Sequence, residues 1–105
     1  YIKSRRPNIV SIVCMGKAAV EPADEDTWCA EYIRSLLLND YYDIENRLLR
    51  LRDLEGKRFF NPKNQEQCPQ RDFYLSTRLG IFDFVLKAEK MDSKASLFKL
   101  NKINI

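Results

Sequence analysis

The chain has 105 residues, 45% of them hydrophobic, with 18 basic and 15 acidic side chains, no histidine and a formal net charge of +3. That length accommodates one core and not two, so a single domain over 1–105 is expected. Charges alternate through Arg34, Asp40, Asp43, Glu45, Arg47, Arg50, Arg52, Asp53 and Glu55, the pattern of a solvated face and not of a nucleic-acid footprint, while the apolar runs Ile9–Met15 and Leu36–Leu38 are far shorter than the roughly 20 residues that cross a bilayer.

In chain order, Tyr1–Arg6 reads as the end of a helix, broken at Pro7-Asn8. Ile9–Met15 follows as a near-continuous β-branched run, the signature of an interior strand covered on both faces, and Gly16 marks a turn. Pro22 suits the first position of a helix that carries Asp24, Glu25 and Asp26 in its opening turn and a stripe of Trp28, Cys29, Tyr32, Ile33, Leu36 and Leu37. Asn39-Asp40 stops it. A second helix is expected over Asp43–Leu54 with Ile44, Leu48, Leu51 and Leu54 inward, closed by Gly56 beyond its C-terminus. Lys57–Gln67 reads as a long surface loop. Pro69 opens a third helix, Gln70–Leu79, burying Phe73, Tyr74 and Thr77, and Gly80 ends it. Phe82–Ala88 reads as a strand with Phe82, Phe84 and Leu86 on one face. The segment 89–105 receives no assigned state; Leu97-Phe98-Lys99-Leu100 is its one apolar island. The resulting fold class is α/β, with helices layered on a small sheet containing Ile9–Met15 and Phe82–Ala88.

In open α/β sheets ligands gather where strand ends meet helix N-termini, which draws attention to the Gly16 turn and the acids after it. Carboxylate oxygens at a helix start suit a hard cation; acids there also stabilise the helix dipole wherever they occur. Helical spacing sets Glu25 one turn before Cys29 and Ile33, on the apolar stripe, and Asp26 on its flank. Gly16 allows backbone N–H groups close to an anion. Arg58, in Gly56-Lys57-Arg58-Phe59-Phe60, and Arg71, opening the third helix, are the candidates for an arginine fork on a phosphate or sulfonate. Cys14, Cys29 and Cys68 are odd in number and widely spaced, which fits reduced thiols and neither a disulfide framework nor a zinc site. With no histidine to act as base, Cys14 is read as a small buried packing group near Cys29.

The strand end Cys14-x-Gly16 and the helix Glu25-Asp26-x-x-Cys29-Ala30 resemble the C-terminal half of the 2-phosphosulfolactate phosphatases, the ComB-like family. The resemblance continues more loosely through Gly56–Phe60, Arg71–Leu75 and Phe82–Leu86, covering most of residues 8 to 89. The Asp-x-x-Arg-Ala-Thr segment and Gly-rich loops associated with the family's N-terminal half do not occur in these 105 residues. The resemblance implies one lobe of a ComB-like α/β/α fold, with the N-terminal half as its partner. It implies a cytoplasmic, Mg²⁺-dependent phosphatase acting on a phosphorylated acid such as 2-phosphosulfolactate, as in coenzyme M biosynthesis. Glu25 and Asp26 would be the catalytic carboxylates and metal ligands, Gly16, Arg58 and Arg71 would face substrate, and Cys14 and Cys29 would lie beside the site. The alternative is a non-catalytic α/β interaction or structural domain. Either way a large apolar patch is expected to be exposed, open to a partner or to a second copy of the chain.

Overall fold

The structure is a computed structural model that describes residues 1–93 and 96–105. A short helix α1 (Ile2–Arg5) ends on Arg6 in the left-handed region, φ 48°. Residues 7–16 then run without regular secondary structure to a tight turn closed by the Lys17–Glu21 bridge. Helix α2 (Asp24–Leu38) starts on its three acids and stops at Asn39, whose φ of 57° places its N–H on the Ser35 carbonyl. Asp43 caps α3 (Ile44–Leu51) by accepting the Asn46 N–H at 3.3 Å, satisfying one of the amides that every helix start leaves free. Two 3₁₀ segments, Glu55–Phe60 and Pro62–Asn64, lead to α4 (Gln70–Ser76). Strands β1 (Phe84–Lys90) and β2 (Phe98–Asn104) form an antiparallel pair, with Phe84 opposite Asn104 and Lys90 opposite Phe98. The fold is thus mixed α/β, and no helix among the described residues is long and apolar enough to cross a membrane.

The core lies where α2, α3, the first 3₁₀ segment and α4 meet. Trp28, Ile44, Leu51 and Phe73 are buried there, with Tyr32, Tyr42, Leu48, Phe59 and Phe60 packed around them. Phe73 is its hub: Phe60 meets it edge-on with centroids 5.1 Å apart, and Phe59 tilts against it at 6.2 Å, offset geometries that aromatic quadrupoles favour. Arginines roof the cluster, with Arg47 4.7 Å above the Tyr42 ring and Arg52 4.4 Å above Phe60.

Several sequence expectations are corrected. Ile9–Met15 is neither a ladder strand nor covered on both faces; Ile9, Val13 and Met15 are exposed. High β-propensity makes a strand only where a neighbour offers a hydrogen-bonding edge, and β1 takes β2, its neighbour in sequence, at the small loop-closure cost of a hairpin. The sheet therefore joins β1 to a strand from the unassigned tail. Phe82 precedes β1 and is exposed. On α2 the stripe narrows, because Trp28 and Ser35 are buried while Cys29 and Leu36 are exposed. Helix α3 ends at Leu51, and the expected loop 57–67 is largely 3₁₀ and turn. Gly56 sits inside a 3₁₀ segment and is buried. A Cβ there would lie 2.4 Å from Phe73 Cε2, so close packing and not a left-handed turn requires the glycine. Helix α4 ends at Ser76, where the Thr77 N–H and Oγ1 both donate to the Phe73 carbonyl, and Tyr74 remains exposed.

Candidate functional site

The site region begins at the Gly16 turn. Gly16 has φ +68°, and a Cβ on it would stand 2.2 Å from the Glu21 carbonyl oxygen, so both conformation and space demand glycine. The Lys17 N–H donates to that same carbonyl at 2.8 Å. Asp26, in the first turn of α2, reaches back to accept the Gly16 N–H on Oδ2 at 2.6 Å. The Cys14 thiol donates to the Asp26 carbonyl at 3.5 Å. A charged acceptor makes the first of these bonds strong and short, and it fastens the end of the 9–15 run to the helix.

Glu25, the neighbour of Asp26 in the same helical turn, lines a cleft of about 290 Å³. Trp28, Leu51 and Phe73 are among the apolar residues of its wall, and Glu25, Glu55 and Arg58 are its charged ones. Lys17 bridges to Glu55 with Nζ 2.6 Å from Oε1, tying the glycine turn to the 3₁₀ segment. This hydrogen bond and the Glu55 charge hold the lysine pKa above its ordinary value. Arg58 places its guanidinium 5.1 Å from the Phe59 ring centroid. An apolar cleft bordered by a few charged groups suits an amphipathic or aromatic ligand oriented by those charges.

The expected site residues therefore divide. Glu25, Cys29 and Arg58 line one cleft. Gly16, Cys14 and Asp26 form a separate cluster joined by hydrogen bonds. Arg71, exposed in the first turn of α4, does not line the cleft. Cys14 is exposed and not the buried thiol expected; Cys29 is exposed as well, and both are free. Sequence reasoning missed Glu55, which lines the cleft beside Arg58. Its position just before Gly56-Lys57-Arg58 was a signal, obscured because that stretch reads as a loop. Among the described residues no three Cys, Asp or Glu side chains come together as a group able to hold a metal ion.

Beyond the cleft, Tyr42 donates its hydroxyl to the Glu31 carboxylate, joining α3's approach to α2. Burial, reinforced by that bond, pushes the phenol up to about 12.

Compared with protein-family models, curated proteins and solved structures, the chain matches none.

Proposed function

We propose that the chain is a protein-interaction module whose apolar faces are completed by another polypeptide surface. One observation carries this reading: the chain exposes 8989 Å², whereas a folded monomer of its 12.4 kDa mass exposes about 6,100 Å². The radius of gyration agrees, at 16.5 Å against about 13 Å for a self-contained domain of this length. Large apolar side chains contribute to this surface, with Ile9, Val13, Met15, Val20, Phe82, Leu86, Phe98 and Leu100 all exposed. Exposed apolar surface on this scale marks an interaction face.

The test is the concentration dependence of melting temperature together with binding of an apolar fluorescent dye. An interaction module binds dye strongly when dilute, then sheds dye and melts higher as it associates. A dye-silent, compact monomer with a concentration-independent melting temperature overturns the reading.

A second reading, the ComB-like phosphatase lobe, is favoured by the shared cleft of Glu25 and Arg58. There Arg58 would hold phosphoryl oxygens and Glu25 would orient water on a phosphate monoester. Magnesium would be asked of Glu25 and Asp26, but Asp26 is not among the cleft-lining groups and already holds the Gly16 amide. Glu25 and Asp26 therefore do not make a joint donor set for the ion. Phosphate release with magnesium, in the chain and in Glu25→Gln, tests this reading.

A further inference from the structure

We infer that the cleft between the helices is a binding site for a free α-amino acid with an aromatic side chain, Arg58 taking its carboxylate and Glu25 its ammonium group. The inference goes beyond the interaction-module reading and does not rest on it, because none of the exposed apolar side chains named for that reading lines the cleft. The cleft is sorted from floor to mouth. Of its lining residues, Trp28, Ile44, Leu51 and Phe73 are buried, whereas Glu25 and Arg58 are exposed. The two charges reach the mouth from different elements, Glu25 from the first turn of α2 and Arg58 from the first 3₁₀ segment. The third charged lining group, Glu55, is committed to Lys17 with Nζ 2.6 Å away. Among the described residues neither Glu25 nor Arg58 takes part in a salt bridge, so one carboxylate and one guanidinium are left for a ligand. Stacking on Phe59, 5.1 Å from guanidinium carbon to ring centroid, steadies the arginine.

Size and charge select the occupant. A cavity of about 150 Å³ accommodates benzene, so a cleft of about 290 Å³ holds one ring with a short charged head. Sites for drug-sized ligands begin at roughly 300 Å³. The rings of Trp28, Phe59 and Phe73 line the cleft and offer the edge and face contacts that aromatic groups favour. An aromatic acid without an amine would satisfy Arg58 but bring like charge to Glu25; an amine without a carboxylate would bring like charge to Arg58. A doubly negative phosphate meets the same objection at Glu25. A ligand with both charges at one end and an apolar body at the other satisfies the floor and both sides of the mouth, and that is the plan of an aromatic amino acid. Removing either head leaves one protein charge covered by the ligand and unpaired, which is how a polar site discriminates.

Trp28 is the chain's single tryptophan and lines the cleft, so its fluorescence, excited at the red edge of the indole band, reports occupancy. The full chain is titrated with L-phenylalanine, with hydrocinnamate, which lacks the amine, with phenethylamine, which lacks the carboxylate, and with inorganic phosphate, and melting temperatures are measured alongside. Phenylalanine should give a saturable change and a higher melting temperature, and each single-headed analogue should bind at least about tenfold more weakly. Arg58→Gln should weaken phenylalanine by about tenfold or more without weakening phenethylamine, and Glu25→Gln should weaken it without weakening hydrocinnamate. Circular dichroism checks the fold of both variants, and the analogue series on the parent chain decides the matter even where a variant fails to fold. No saturable response to phenylalanine, equal binding of the three ring compounds, or a variant that weakens all of them alike overturns the inference. Phosphate binding without a phenylalanine response also overturns it and returns the cleft to the phosphate-monoester reading. The interaction-module reading is untouched by any of these results, since its dye and concentration tests probe a different surface.

Discussion

Asp26 Oδ2 accepts the Gly16 N–H at 2.6 Å, so an acid in the opening turn of α2 clamps the turn that ends the 9–15 run. Acids at a helix start are expected to serve the dipole or a ligand. Here the neighbouring carboxylates act in different places, Asp26 on the backbone of the turn and Glu25 along the cleft.

Asp26→Ala leaves the Gly16 N–H without its acceptor and should lower stability by about 1–3 kcal/mol in urea denaturation. Asp26→Asn, which keeps an acceptor oxygen, should cost less. Amide exchange at Gly16 should accelerate in the alanine variant; unchanged exchange there would show that Asp26 does not clamp the turn.

Gly56→Ala drives a methyl to 2.4 Å from Phe73 Cε2 and 2.8 Å from the Leu51 carbonyl oxygen. Overpacking of this kind costs about 1–3 kcal/mol. Because one of the crowding groups is the Phe73 ring, Phe73→Leu in the same background should cost less than it does alone, and a double-mutant cycle of melting curves measures that coupling.

Tyr42 supplies the pH dependence. Its folded pKa is raised from 10.0 to about 12, so above 10 the unfolded chain loses the phenolic proton first. The Tyr42 contribution is therefore complete below pH 10 and disappears as pH rises through about 12. Tyr42→Phe should flatten this part of the stability profile, and the difference in phenolate absorbance between parent and variant should titrate near the upper value. A difference spectrum that titrates near 10 would contradict the packing described for Tyr42.

Glu25→Gln separates the two functional readings. In an interaction module it changes stability by a few tenths to about 1 kcal/mol, through the helix dipole alone, and leaves dye binding and association unaltered. In a hydrolase it depresses magnesium-dependent phosphate release with the fold intact. Melting curves and phosphate assays on the same preparation distinguish the outcomes.

The sequence by itself determined that helices stand at α2, α3 and α4, though not the 3₁₀ segments between the last two. Acids at 24–26, Asn39 and the cap at Asp43 act through hydrogen bonds that reach three or four residues, or through the first helical turn, so α2 and α3 were legible, as was the apolar spacing that buries Trp28, Ile44, Leu51 and Phe73. Candidate site residues were legible only as residue types: Glu25, Cys29 and Arg58 do share a cleft, whereas Asp26 and Arg71 lie outside it and Glu55 joins it unannounced. Only the tertiary structure decided that Ile9–Met15 has no ladder, that β1 pairs with the tail, that Gly56 is small because Phe73 lies over it, and that Asp26 serves a turn. Each of these depends on which distant segment arrives at a given edge or face. Helices satisfy their backbone locally, but strands, close approaches and clefts acquire their meaning from a neighbour that no local pattern contains.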